Sequence, residues 1–254
     1  SGKSLDSLNR CMIGGSACPR SMMEIFKKKY RVTVIHGWGM TETSPLGAIN
    51  TPLAKHSYMS TDELLDLSEK QGRPMYGVEL RITDDKGKVL PNDGKAFGDL
   101  WIKGPWICSG YMNIKNSEVH RKDGWFMTGD VATIDTDGYM HITDRTKDVI
   151  KSGGEWISSI EIENIAVGHN KIAEAAVIGV PHPKWDERPL LIVVPSENDK
   201  INKKEILDYL KGKIASWWMP DDVVFIDEIP HTATGKIQKL ALREKFKGYK
   251  LENN

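Results

Sequence analysis

Arg10-Cys11-Met12-Ile13-Gly14-Gly15-Ser16-Ala17 and, one helix later, Val32-Thr33-Val34-Ile35-His36-Gly37-Trp38-Gly39-Met40-Thr41-Glu42 are the stretch whose reading decides the fold. Arg10 to Ile13 is a short strand candidate, Arg20 to Lys29 a helix, and Val32 to His36 a second strand that runs into a glycine-rich turn. Such an alternation is an α/β unit, and ligands favour the carboxyl ends of its strands. Both glycine stretches fall at such ends.

Working outward, the pattern turns β-rich from about Tyr76, with Val78 to Thr83, a turn at Asp85-Lys86-Gly87, and Gly98 to Lys103. Val131 to Ile134 and Tyr139 to Ile142 flank Asp135-Thr136-Asp137-Gly138, a hairpin signal because Asp-Gly tolerates the positive φ of tight turns. After Asp144 short strands alternate with helices. Ser158 with Glu161 makes a capping box, and Ile157 with Ile162 the accompanying hydrophobic staple; Asn202, Glu205, Ile201 and Ile206 repeat the arrangement. Strands are expected at Ala175 to Val180, Leu190 to Val194 and Val223 to Ile226. The expected fold class is mixed α/β, in two domains, 1–144 and 145–254.

Composition excludes several function classes. Lysine plus arginine equals aspartate plus glutamate at 35 each, so no overall field favours nucleic acid or an anionic membrane. Any anionic ligand has to be held locally. The three cysteines, Cys11, Cys18 and Cys108, have neither the spacing of a zinc site nor the even number of a disulfide framework. That favours a reducing compartment. No run approaches the ~18 apolar residues of a membrane span, and a cytoplasmic protein is the default expectation.

The candidate chemistry sits in the turns. Gly14 to Ala17 carries no bulky side chain, so its backbone can lie against a flat ligand; equally, such a string is often only a turn. Gly37 and Gly39 around Trp38 suggest an exposed aromatic face able to stack on a base, worth about 1–3 kcal/mol. Thr41 could then donate to phosphate while Glu42 holds a magnesium ion. The bland alternative is a loop with a core tryptophan and a capping threonine. Asp130, in Thr128-Gly129-Asp130 ahead of the hairpin, could accept ribose hydroxyls or merely stabilise a turn. Asp144-Arg145-Thr146-Lys147-Asp148 places two cations at the expected boundary. Lys151-Ser152-Gly153-Gly154-Glu155-Trp156 is a second glycine-rich turn, and Lys236 stands in the loop Thr232-Ala233-Thr234-Gly235-Lys236, free to swing onto an anion or to face water.

Taken in order, His36 to Glu42, Trp125 to Asp130, Asp144 to Glu155 and Thr232 to Lys239 resemble the successive core motifs of the acyl-adenylate-forming superfamily, which includes acyl-CoA synthetases, beetle luciferases and peptide-synthetase adenylation domains. The resemblance runs from Gly14 to Lys239 and is nearest to bacterial medium- and long-chain fatty-acyl-CoA synthetases. It implies a carboxylate attacking the α-phosphate of magnesium ATP, with pyrophosphate released, followed by displacement of AMP by coenzyme A. By matching position it assigns Gly14, Gly15, Ser16, Ala17, His36, Gly37, Trp38, Gly39 and Met40 to the adenine side. Thr41 goes to the phosphates, Glu42 to Mg2+, Asp130 and Arg145 to the ribose, and Lys236 to the carboxylate and phosphate during adenylation. Lys147 takes the hinge position, and Lys151, Gly153, Gly154, Glu155 and Trp156 line the pantetheine tunnel.

The chain also departs from that pattern. The superfamily's upstream Ser/Thr/Gly-rich phosphate loop is absent, and the chain opens on Ser1-Gly2-Lys3 rather than methionine. The expectation is a carboxyl-terminal half with little or no ligase activity alone. Trp38 replaces a commoner tyrosine, His36 a glutamine, and Trp185-Asp186-Glu187-Arg188 a commoner Trp-Gly-Glu, taken as a surface loop. Transfer to a carrier protein or to oxygen chemistry, a non-catalytic nucleotide-binding module, and a homo-oligomer all stay open. The expected partners are a carboxylic acid, ATP and CoA.

Overall fold

The computed structural model describes residues 6–114, 119–120, 123–196, 200–233 and 235–251; Ser1-Gly2-Lys3 and Thr234 lie outside the described residues. The chain forms two compact units, Ser1–Thr146 and Lys147–Asn254, so the division falls two residues beyond the expected 144/145 junction. The shift has a physical cause. Asp144 and Arg145 are still strand, paired with Val131 and Asp130.

The first unit holds two four-stranded sheets. One contains β1 (Arg10–Ile13), β2 (Thr33–Gly39), β3 (Leu46–Ile49) and β4 (Arg73–Pro74) in that order, with α1 (Arg20–Tyr30) between β1 and β2 and α2 (Thr61–Glu69) between β3 and β4. β1 and β2 are parallel, so α1 is their crossover. β2 does not stop at His36. Gly37 and Trp38 pair with Ile49 and Ala48 of β3, so the expected glycine-rich turn is strand, and the chain turns only at Thr41–Thr43.

The other sheet is an antiparallel meander of β5 (Glu79–Thr83), β6 (Phe97–Lys103), β7 (Phe126–Ile134) and β8 (Met140–Arg145). Ile82, Leu100, Ile102, Ala132 and Met140 fill its core. Thr128-Gly129-Asp130 lies inside β7 rather than ahead of the hairpin. Met127 pairs with Trp101 while Val131 pairs with Asp99, so β7 bulges there, and Gly129 supplies the left-handed backbone with φ 74°. The β7–β8 turn is held by the Asp135 carboxylate, which accepts the Asp137 and Tyr139 N–H groups at 2.9 Å each.

The second unit contains β9 (Ile150–Ser152), β10 (Glu155–Ile157), α3 (Ser159–Ala166), β11 (Ile172–His182), β12 (Asp186–Pro195), α4 (Lys203–Leu210), β13 (Asp222–Phe225) and α5 (Lys239–Lys245). Its sheet runs β10-β9-β12-β11, with β13 parallel to β12. Ser158 Oγ accepts the Glu161 N–H at 3.1 Å and Asn202 Oδ1 the Glu205 N–H at 2.9 Å, caps worth about 1 kcal/mol each. The Glu205 carboxylate takes Lys171 Nζ at 2.7 Å instead of completing its box. Ile157, Ile162 and Ile206 are fully buried in one core, with Ile201 packed on it. Asp186 to Arg188 open β12 and pair with β11, which corrects the surface-loop expectation.

The last residue of the first unit and the second residue of the next are both tied down. Thr146 donates from Oγ1 to Asp99 Oδ1 at 2.9 Å and from its N–H to the Gly129 carbonyl at 3.0 Å. Asp148 accepts Arg243 through its carboxylate at 2.7 Å and its carbonyl at 3.2 Å. Lys147, between them, is exposed.

Candidate functional site

In the first unit the site is built around Asp130, which the β7 bulge brings opposite Arg145. Arg145 Nη1 lies 2.9 Å from Asp130 Oδ1, and the Trp38 indole N–H donates to Oδ2 at 2.9 Å. The Asp130 N–H in turn donates to Thr128 Oγ1 at 3.1 Å. Asp130 is buried, whereas the Arg145 side chain is 41% exposed, so the pair presents charge and hydrogen-bonding capacity at one edge of the meander.

Trp38 differs from expectation. Its ring is 8% exposed and belongs to the meander's core, and a Cβ on Gly47 would lie 2.4 Å from it, so only glycine fits there. Burial of the large apolar ring outweighs its display. What Trp38 offers the site is therefore its N–H and not an exposed ring face.

Gly14, Gly15 and Ser16 are exposed just past β1, with Ala17 half-buried. His36, in β2 beside them, is buried; its Nε2 lies 3.4 Å from the Ser16 carbonyl and its Nδ1 3.2 Å from the Glu69 carbonyl. Burial holds the imidazole below its ordinary pKa despite these contacts; the ring stands between the Gly14 to Ala17 turn and the end of α2, and in its neutral form it donates to one of the two carbonyls.

Beyond β2, Met40 leads into the Thr41–Thr43 turn, which closes on buried Thr43. Its Oγ1 accepts the Met40 N–H at 2.9 Å and donates to the Pro45 carbonyl at 2.6 Å. Thr41 is left exposed and Glu42 half-buried. The Tyr111 hydroxyl donates to Glu42 Oε1 at 2.7 Å; burial, then the Glu42 bond and charge, push the Tyr111 pKa up to about 12. Sequence reasoning missed Tyr111 and its neighbours. Cys108 donates its N–H to the Glu42 carbonyl at 2.9 Å, and its sulfur lies 3.3 Å from His120 Nε2. Among the described residues Glu42 makes no ion pair.

In the second unit Lys151 to Trp156 is a hairpin with Gly153 and Gly154 as its two turn residues, at φ 60° and 87°. Trp156 pairs with Lys151, whose Nζ lies 5.8 Å from the Trp156 ring centroid. The Gly153 N–H donates to the Trp185 carbonyl at 2.9 Å, and a Cβ there would lie 2.7 Å from the Trp185 ring. Glu155, Ser152, Gly153, Trp185, Arg188, Trp217 and Asp221 line an open cavity of about 700 Å³. Lys236 stands apart in its own turn. There Thr232 donates its N–H to the Lys236 carbonyl at 2.8 Å and accepts the Lys236 N–H at Oγ1, 3.1 Å, leaving the ammonium exposed. The turn is anchored at one end by Lys239, which opens α5 and is buried against Glu163 at 2.9 Å and the Ser159 hydroxyl.

Comparison with known proteins matches both units. The family described as AMP-binding enzyme matches residues 1–112, and its companion, the AMP-binding enzyme C-terminal domain, matches residues 161–236. The chain belongs to the AMP-binding enzyme family.

Within that family it is 57% identical over 246 residues to the 3-methylmercaptopropionyl-CoA ligase of Ruegeria lacuscaerulensis, covering 97% of this chain and 46% of that protein. It is 53% identical over 245 residues to the medium-chain-fatty-acid–CoA ligase of Ectopseudomonas oleovorans, covering 96% and 45%. The ATP-bound crystal structure of MatB from Rhodopseudomonas palustris superposes with a TM-score of 0.79 at 32% identity, over 94% of this chain and 46% of that one. This AMP-binding family member thus spans about half the length of the curated relatives it matches. Among the described residues no helix is long and apolar enough to cross a membrane.

Proposed function

We propose that this chain carries the ribose, magnesium and thiol-acceptor portions of an ATP-dependent acyl-CoA ligase. The observation that bears most of this reading is the Asp130 carboxylate, fixed between the Arg145 guanidinium and the Trp38 indole at the β7 bulge. In this reading the carboxylate accepts ribose hydroxyls, each charge-assisted bond worth about 1.5–3 kcal/mol. Gly14 to Ala17 would border the adenine.

Thr41 would donate to phosphate. Glu42 fits a magnesium ion: it is a carboxylate at a turn, oriented by Tyr111 and free of an ion pair among the described residues, and Mg2+ bound with a nucleotide takes one or two carboxylates alongside phosphates and water. Bound there, the ion would neutralise charge on the phosphate oxygens. The exposed Lys236 ammonium would hold the acid's carboxylate against the α-phosphorus while the new C–O–P linkage forms and pyrophosphate leaves. In the second step the CoA sulfur would attack the acyl carbonyl, lose its proton and release AMP, with the Lys151 to Trp156 hairpin and its adjoining cavity guiding the pantetheine. Names of the relatives favour CoA as acceptor and a fatty or short thioether acid as substrate.

The test uses a protein of the relatives' full length that carries this chain. A panel of acids from 3-methylmercaptopropionate to long-chain fatty acids is followed by AMP release with CoA, acyl carrier protein or neither. Acid-dependent pyrophosphate exchange lost about 10²–10³-fold in Lys236→Ala, with AMP release requiring CoA, is the expected result. Undiminished exchange in Lys236→Ala overturns the assignment of that lysine, and AMP release that ignores CoA overturns the ligase reading.

A further inference from the structure

The segment that departs from the family's commoner Trp-Gly-Glu does more than pair with β11. Its residues hold the Lys151 to Trp156 hairpin from three directions. The Trp185 carbonyl accepts the Gly153 N–H at 2.9 Å, the Glu187 carboxylate accepts the Lys151 N–H at 3.1 Å, and Arg188 Nη1 donates to Ser152 Oγ at 3.1 Å. Arg188 goes further. Nη1 also donates to the Trp217 carbonyl at 2.9 Å, Nη2 to the Met219 carbonyl at 3.0 Å, and the guanidinium meets Asp221 through Nε at 2.9 Å and Nη2 at 2.7 Å. Its side chain is only 13% exposed, and of the four residues the guanidinium meets, Ser152, Trp217 and Asp221 line the cavity.

Such a set of bonds needs a planar fork of donors. A lysine ammonium at the same place could reach one or two of these acceptors, not partners on two separate segments at once. The hairpin it holds consists of two three-residue strands, too short to keep its geometry unaided. From these contacts we infer that Arg188 is a positioning residue: it locks the turn end of the Lys151 to Trp156 hairpin to the Trp217 to Asp221 segment and thereby sets the cavity for the acceptor thiol. Asp221, 27% exposed, orients the guanidinium rather than touching the hairpin.

The kinetic part of this inference rests on the acyl-CoA ligase reading, and the structural part does not. Arg188→Lys is therefore followed two ways. In the full-length protein, single-turnover formation of acyl-adenylate should stay within about threefold of wild type, while its transfer to CoA falls about 10²-fold or the KM for CoA rises by as much, the scale of a misplaced reacting group. Hydrogen exchange should show the Lys151 and Gly153 amides opening about tenfold faster or more, with the amides of α3 and α4 unchanged. Ser152→Ala removes one acceptor and keeps the arginine, and should show the same selective pattern at about three- to tenfold. Equal losses in both half-reactions, or unaltered hairpin exchange in Arg188→Lys, overturn the inference. A wild-type protein that forms no acyl-adenylate overturns the ligase reading alone, and the exchange data still decide the role of Arg188.

Discussion

Replacing Trp38 by phenylalanine tests the centre of the nucleotide site without touching a charged group. The substitution removes the indole N–H from Asp130 Oδ2 and leaves Arg145 on Oδ1. Because Asp130 is only 5% exposed, solvent cannot fully replace the lost donor, and a hydrogen bond to a charged group is worth about 1.5–3 kcal/mol. The smaller ring also leaves roughly 40 Å³ unfilled against Gly47 and Ile102, a further ~1 kcal/mol at ~24 cal/mol per Å³. The expected loss is about 2.5–4 kcal/mol. Urea unfolding followed by far-ultraviolet circular dichroism measures it as a fall in midpoint at constant m. A cycle with Asp130→Ala isolates the bond from the packing, and a coupling of about 1–3 kcal/mol is expected. A loss below ~1 kcal/mol for Trp38→Phe, or additivity within ~0.5 kcal/mol in the cycle, refutes the reasoning.

Lys239→Met leaves Glu163 buried without its cation and should cost about 3–5 kcal/mol, lowering the thermal midpoint of the second unit by more than ~10 °C. A change of under ~2 °C sinks this account. Gly153→Ala should destabilise more than Gly154→Ala, since both sit at positive φ but only a Gly153 Cβ meets the Trp185 ring, at 2.7 Å; equal thermal shifts would contradict it. Burial first, then the charges of Lys70 and His36, push the His141 pKa down to about 4, against about 6.5 in the unfolded chain. The unfolded state therefore binds the proton first, and stability falls as pH drops from about 6.5 to about 4, by on the order of 3 kcal/mol, with no dependence from this group above about pH 7. Urea titrations at several pH values should show this fall reduced in His141→Gln, and an identical fall in the variant rules the group out.

What was legible in the chain was local. β1 and α1 follow from short-range pattern, and the Gly153-Gly154 and Asp135 to Tyr139 turns from residues whose preferences act over a few positions. Asn202 and Ser158 cap as their spacing indicates because a cap spans only one helical turn. Long-range contacts decided the rest. Gly37-Trp38-Gly39 looks like a turn until β3 pairs with it, and Trp38 looks like a displayed ring until the meander's core covers it. The Tyr111 hydroxyl reaches Glu42 across 69 residues, and Arg188 reaches Ser152 across 36. No periodicity within either segment encodes such a partner. The motif order identified the family because motifs are matched whole, whereas the orientation of each side chain depends on neighbours brought in by the fold.

The tethering of Thr146 and Asp148 has a mechanical consequence. With each residue fastened to its own unit, the connection is a single residue long, and its freedom is essentially the two backbone torsions of Lys147. A connection of that kind behaves as an axle and not as a leash. Settling it into one orientation forfeits the conformational entropy of about one residue, ~1–2 kcal/mol, whatever the mass it carries.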